Sequence, residues 1–194
     1  MGKLTINTQL SLDGVMQGPG GPDEDTSRGF AQGGWAMPYF DELMGEEAGK
    51  GMGSAGGLVL GRKTYEIFAA YWPNQGEDVP FAGFLNKVPK YVASRTLSEP
   101  LEWANSYLIE GDVAGGVRRL KEDLAEDLVV LGSGDLARTL MEHDLIDEYS
   151  IWVVPTVLGE GKRLFREGSR MDLELVDQKT STTGVLLLTY RPAA

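Results

Sequence analysis

The sequence contains no cysteine. That absence removes disulfides, thiol nucleophiles and every cysteine-based zinc site. Histidine is nearly missing too: His143 stands alone, so histidine-rich metal centres and most serine–histidine pairings are excluded, and no metal is expected. Positive charge is scarce. The 18 Lys and Arg face 29 Asp and Glu, for a formal net charge of -11. A general nucleic-acid binder needs basic surface, and an anionic membrane would repel this one, so neither partner is expected. A small anionic ligand remains compatible where its charge is met locally. No apolar run is long enough to span a bilayer. The opening MGKLTINTQL has no signal-type apolar core, and Ile6 occupies the place where a myristoylation signal needs Ser or Thr. A cytoplasmic protein is the expectation.

Apolar residues, at 42% of 194, suffice for one domain over residues 1–194 with its own core. The 26 glycines point to many tight turns or a mobile loop. KLTINTQLSL alternates as a strand. The Gly-, Pro- and acid-rich stretch from Asp13 to Gly34 reads as a long loop, and MPYFDELMGEEAGKG as a helix with Pro38 in its first turn. GGLVLG is a short buried strand followed by the helix RKTYEIFAAYW, and NQGEDVPFAGFLNKVP is an irregular crossover. KYVASR and NSYLIE are strands. Val113, Val117, Leu120 and Leu124 mark one face of a helix. DLVVLG is a strand and DLARTLMEHD a helix, with His143 in a structural place near its end. IDEYSIWVVPTVLG is a long strand whose Pro155 suggests an edge or a bulge. DLELVDQKT and GVLLLTYR close as a hairpin. Strands and helices alternate, and strands alone finish the chain. That predicts an α/β fold: a mixed, mainly parallel sheet flanked by helices, with antiparallel C-terminal strands.

Two motifs raise the question of phosphate. Gly56 and Gly61 followed by Lys63-Thr64 imitate a P-loop, but Arg62 is an extra residue and GLVL reads as a strand, so a triphosphate loop is rejected. In LVVLGSGDLARTL, Gly132 and Gly134 flank a strand-to-helix junction. Either they only make the turn, or they let a phosphate approach the backbone at a helix N-terminus.

Three such junctions occur in chain order, LVLGRKTYEIF, KYVASRTL and LVVLGSGDLARTLME, preceded by LSLDGVMQG and followed by LIDEYSIWVVPTVLGEGKRLF. This set resembles the dihydrofolate reductase superfamily, most closely the C-terminal reductase domain of bifunctional riboflavin-biosynthesis proteins and its stand-alone relatives. The resemblance covers nearly the whole chain and implies a dihydrofolate-reductase-like fold with bound NADPH. It implies that Gly132, Ser133, Gly134, Asp135 and Leu136 cradle the cofactor. Gly61, Arg62, Lys63 and Thr64 open a helix toward its adenosine-side phosphates. Ser94 and Arg95 hold the 2′-phosphate, and main chain near Gln9 and Met16 holds the carboxamide. Solvated surface is the plain alternative for Arg62, Lys63 and Arg95.

The implied activity is an NADPH-dependent reductase that delivers hydride to a small heteroaromatic or ribityl-bearing substrate. The loop from Asp13 to Gly34 is then either a lid over the nicotinamide or an ordinary connection. Trp35, Tyr39 and Phe40 offer aromatic surface to a flat substrate, or belong to the core. Asp41 or Glu42 could bind ring nitrogens or relay a proton, and Asp41 is the chosen catalytic candidate; otherwise it serves the helix dipole. Lys162, with Arg163, could meet a phosphate on a ribityl chain, or could be a turn residue. A folate-type reductase is one alternative, and a non-catalytic nucleotide- or flavin-binding module another. The resemblance, with GVLLLTY as an exposed edge, suggests a homodimer.

Overall fold

In β1 (Leu4–Ser11), Leu4, Ile6 and Leu10 are buried and alternate with half-exposed Thr5, Asn7 and Gln9. In the computed structural model, which describes residues 1–193, this strand lies in the sheet interior. It runs parallel to β5 (Asp127–Leu131) on one side and β6 (Glu148–Val154) on the other. β2 (Ala55–Gly61) joins β5 in parallel, followed outward by β3 (Lys90–Ala93) and β4 (Ser106–Leu108). Beyond β6 the direction reverses: β8 (Leu186–Pro192) pairs antiparallel with β6, and β7 (Leu173–Thr180) with β8. The strand order is β4-β3-β2-β5-β1-β6-β8-β7.

Parallel neighbours need crossover connections, and these supply the helices. They are α1 (Glu42–Gly53), α2 (Arg62–Tyr71), α3 (Ala82–Lys87), α4 (Val113–Asp123) and α5 (Gly134–Glu142). On one face of the sheet, Leu4, Ile6, Val130 and Ile151 pack with Val117 of α4 and Leu136 and Leu140 of α5. Each such buried aliphatic side chain contributes about 2 kcal/mol. The opposite face carries two separate clusters. Leu58, Leu60 and Val92 pack with Tyr65 of α2 and Leu85 of α3. Trp152, Val154 and Leu187 pack with Met44 of α1 and with Phe30 and Trp35 of the long loop. Between them the odd-numbered residues of β1 remain open.

The mainly parallel sheet with an antiparallel end agrees with the sequence expectation, but four details differ. The expected helix from Met37 is split: a 3-10 turn spans Met37–Tyr39, and α1 starts only after Asp41, whose carboxylate caps it by accepting from Met44 N at 3.0 Å. The crossover before β3 contains α3. Pro155 neither marks an edge nor a bulge; it ends β6, which lies inside the sheet, because proline cannot donate to the next ladder bond. β8 is likewise interior, and the edge strand on that side is β7. No helix among the described residues is long and apolar enough to cross a membrane.

Candidate active site

Because β3, β2, β5 and β1 run in parallel, their carboxyl ends share one edge, and α2 and α5 begin there. Crevices at this edge are the usual ligand sites of open α/β sheets. Ser133 organises it. Gly132 (φ +55) and Ser133 (φ 55, ψ 51) both turn left-handed, which glycine accepts freely and serine only with support. The support is its hydroxyl, which accepts from Gly61 N at 2.9 Å and meets Thr64 Oγ1 at 2.9 Å.

One consequence is that Ser133 does not cap its own helix. α2, starting behind Gly61, has no side-chain cap either. By contrast α1 and α4 are capped by Asp41 and Asp112. The first amides of α2 and α5 thus keep their partial positive charge for an anion. At Gly134 a Cβ would lie 2.7 Å from Met16 Sδ, so the segment after β1 lies directly against the α5 N-terminus.

Next to this edge, a cavity of about 390 Å³ occupies the uncovered sheet face beneath α1. Its floor includes Thr5, Asn7 and Gln9 of β1, Leu131 of β5, Ser150 and Trp152 of β6, and Thr189 of β8. Glu47 and Ala48 of α1 and the rings of Phe40 and Phe81 also line it. Gln9 and Leu131 carry it to the carboxyl edge, where Gly132 N donates to Asn7 O at 3.3 Å. Amides and hydroxyls on a floor between aromatic walls suit a flat polar heterocycle.

Comparison with known proteins decides the family. Residues 2–187 match the RibD C-terminal domain. The chain belongs to the RibD C-terminal domain family. Among its relatives is YyaP of Bacillus subtilis (strain 168), 31% identical over 196 residues, spanning 97% of this chain and 94% of YyaP. A solved structure from Shewanella sp. PV-4, described as a riboflavin biosynthesis protein, aligns over 100% of both chains at TM-score 0.70 and 21% identity. A Thermotoga maritima structure described as a diaminohydroxyphosphoribosylaminopyrimidine deaminase/5-amino-6-(5-phosphoribosylamino)uracil reductase aligns over 99% of this chain and 57% of its own, at TM-score 0.65 and 15% identity. These structures show that the fold is that of the RibD-like reductases, as the sequence resemblance implied.

In this RibD C-terminal domain, the expected site residues separate in space. Gly61, Thr64, Gly132, Ser133, Gly134 and Met16 come together at the edge. Arg62 Nη1 donates to both Glu66 carboxylate oxygens at 2.9 and 3.0 Å, and Lys63 is exposed beside a hollow rimmed by Asp23, Glu24 and Asp25. Ser94 Oγ accepts from Thr96 N and Leu97 N at the end of β3, with Arg95 exposed beside it. Asp135 faces solvent and pairs with Arg138, while Leu136 is core, which leaves only their backbone for a ligand.

The remaining candidates stand elsewhere. Asp41 does not line the cavity: it caps α1, and its second oxygen accepts from Thr182 N at 2.8 Å and Thr182 Oγ1 at 2.7 Å. The Met44 amide first and then the Thr182 hydroxyl hold its carboxyl below the usual range. In this geometry Asp41 anchors the start of α1 to the final hairpin. Trp35 is buried and donates to Gln17 O at 2.8 Å, and Tyr39 O accepts from Thr183. Of the three expected aromatics, only Phe40 reaches the cavity.

Lys162 is engaged with Asp25 (2.5 Å) and Ser27 (2.7 Å), and its amide donates to Gln17. Gln17 in turn donates to Asp25 O and Ser27 O. The long loop is therefore fastened to the segment after β6. Sequence reasoning passed over Thr5, Asn7, Ser150 and Thr189. The available signal was their polarity on strands that a parallel sheet normally buries on both faces.

Proposed function

We propose that this protein is an NADPH-dependent reductase whose cofactor lies along the carboxyl edge and whose small heteroaromatic substrate occupies the cavity under α1. The observation that carries this reading is the Ser133 clasp. It joins the β2 and β5 corners into one seat whose two helix N-termini lack side-chain caps, beside a cavity whose floor reaches the same edge at Gln9 and Leu131. When bound, NADPH would supply a hydride, and the chain's own task would be to place the two rings together and exclude water.

Gly132 and Gly134 would admit the pyrophosphate. Arg62, Lys63, Ser94 and Arg95 would meet the adenosine-side phosphates, and Gln9 with the main chain near Met16 would hold the nicotinamide end. The fastened loop would roof that end. The riboflavin-biosynthesis and uracil-reductase descriptions of the structural relatives support the reaction class. With Asp41 occupied at the α1 cap, the cavity-lining acid of α1 is Glu47.

Titration with NADPH and with NADH, followed by nicotinamide fluorescence, tests the reading. Saturable NADPH binding at micromolar concentration is expected. Absence of binding by either nucleotide at millimolar concentration rejects it.

A further inference from the structure

The cavity floor is organised in rows across the sheet. One row runs Gln9, Trp152, Leu187, Lys179 through β1, β6, β8 and β7. The adjacent row runs Leu131, Asn7, Ser150, Thr189, Asp177. The first row lies nearer the carboxyl edge, and Lys179 is its outer end. Three strand spacings separate it from Gln9, about 14 Å. A ring held near Gln9 and carrying a charged tail along the floor would bring that tail to Lys179.

Lys179 is not free to receive it. Its Nζ lies 2.5 Å from the Glu47 carboxylate and 3.6 Å from Asp177, and Glu47 also holds Lys50 at 2.6 Å. The Lys179 ammonium first and then Lys50 keep the Glu47 carboxyl below its usual range. The two cations of the GEGKRLF turn are engaged in the same way, Lys162 by Asp25 and Ser27, and Arg163 by Asp13 at 3.5 Å. The charged residues lining the cavity are Lys3, Lys50 and Lys179 against Glu47, Asp127, Glu148 and Asp177, with no arginine. A phosphate brought to Lys179 would meet the Glu47 and Asp177 carboxylates and would have to break an existing ion pair. Its uncharged counterpart would find the amides and hydroxyls of Asn7, Gln9, Ser150 and Thr189, which both donate and accept.

We propose that the cavity takes an uncharged, flat heterocycle without a phosphate, and that the Glu47–Lys179 pair discriminates against its phosphorylated form. This deepens the reductase reading and rests on it for the place of the ring. It sets the chain apart from the Thermotoga maritima protein, whose description names a phosphoribosylamino substrate.

The test uses uridine and uridine 5′-monophosphate as probes, titrated calorimetrically into the NADPH-saturated protein. Uridine is expected to bind at least about tenfold more tightly, with the gap narrowing as salt rises. Glu47→Gln frees Lys179 and Lys50. It is expected to shift the ratio of the two dissociation constants toward the monophosphate by about fivefold or more. Equal or tighter binding of the monophosphate by the unmodified protein overturns the proposal, as does binding of neither probe. If NADPH itself fails to bind, the reductase reading falls, and the same two titrations without cofactor still decide the cavity's preference.

Discussion

Ser133 and Thr64 are 69 residues apart in the chain, and their hydroxyl oxygens lie 2.9 Å apart. Through this contact and the Gly61 amide, the β2 and β5 corners are held as one piece. Ser133→Ala leaves the Gly61 amide without its partner and is expected to cost about 1–2 kcal/mol. Ser133→Gly loses the same hydroxyl but accepts the left-handed backbone, so it should be the less destabilised of the two. Both should weaken NADPH. Thermal unfolding and cofactor titration check this, and a fully stable, fully binding alanine variant contradicts it.

Arg95 is exposed next to the turn that Ser94 closes after β3. If it meets the 2′-phosphate, Arg95→Ala should weaken NADPH by about tenfold or more and leave NADH nearly unchanged, because only NADPH offers a group that a guanidinium can fork. Parallel fluorescence titrations with both nucleotides measure the difference. Equal losses for the two would remove Arg95 from that role.

The Asp13 carboxylate accepts from Ser11 Oγ at 2.6 Å, Leu158 N at 3.1 Å and Gly159 N at 2.9 Å. The Ser11 hydroxyl first, and the Leu158 amide next, lower its pKa from 3.8 to about 2. The folded value lies below the unfolded one. Its contribution is therefore complete above about pH 4 and is lost as pH falls toward about 2. Asp13→Asn should lower the melting temperature at neutral pH, and the gap from the parent should close across that acid window. A gap that stays constant would contradict the assignment.

Lys90 gives a pH dependence of the same sign in an alkaline window, here because its charged form is the disfavoured one. Its Nζ is buried, donates to Leu85 O at 3.0 Å and lies 4.1 Å from the Trp103 ring centroid. Burial lowers its pKa from 10.5 to about 8. The unfolded chain then holds the proton more firmly, so this group makes stability rise with pH between about 8 and 10.5. Lys90→Met, similar in length and uncharged, should remove that rise in melting temperature; an unchanged slope would show that another group causes it.

Much of this was legible in the sequence. Alternation in β1 and the order of strands and helices gave the sheet, and the glycines at 132 and 134 pointed to the carboxyl edge. Side-chain partnerships were not legible. Asp41 looks alike in one dimension whether it caps a helix or faces a ligand, and its partner Thr182 lies 141 residues away. Lys162 reads as an available cation until the fold brings Asp25 against it. The cavity floor was overlooked because β1 supplies Thr5, Asn7 and Gln9 while Ser150 and Thr189 come from β6 and β8, and only sheet register makes them neighbours.

The roof helix is tied to the final hairpin at two places, Asp41 to Thr182 and Glu47 to Lys179. During synthesis the parallel strands can leave the ribosome and pair well before residues 173–192 exist. Until that hairpin arrives, α1 lacks both moorings and the floor lacks Thr189. The enclosed chamber is thus among the last features to assemble on a nascent molecule, and a prematurely released chain would carry the residues of the Ser133 clasp without the far wall of the cavity.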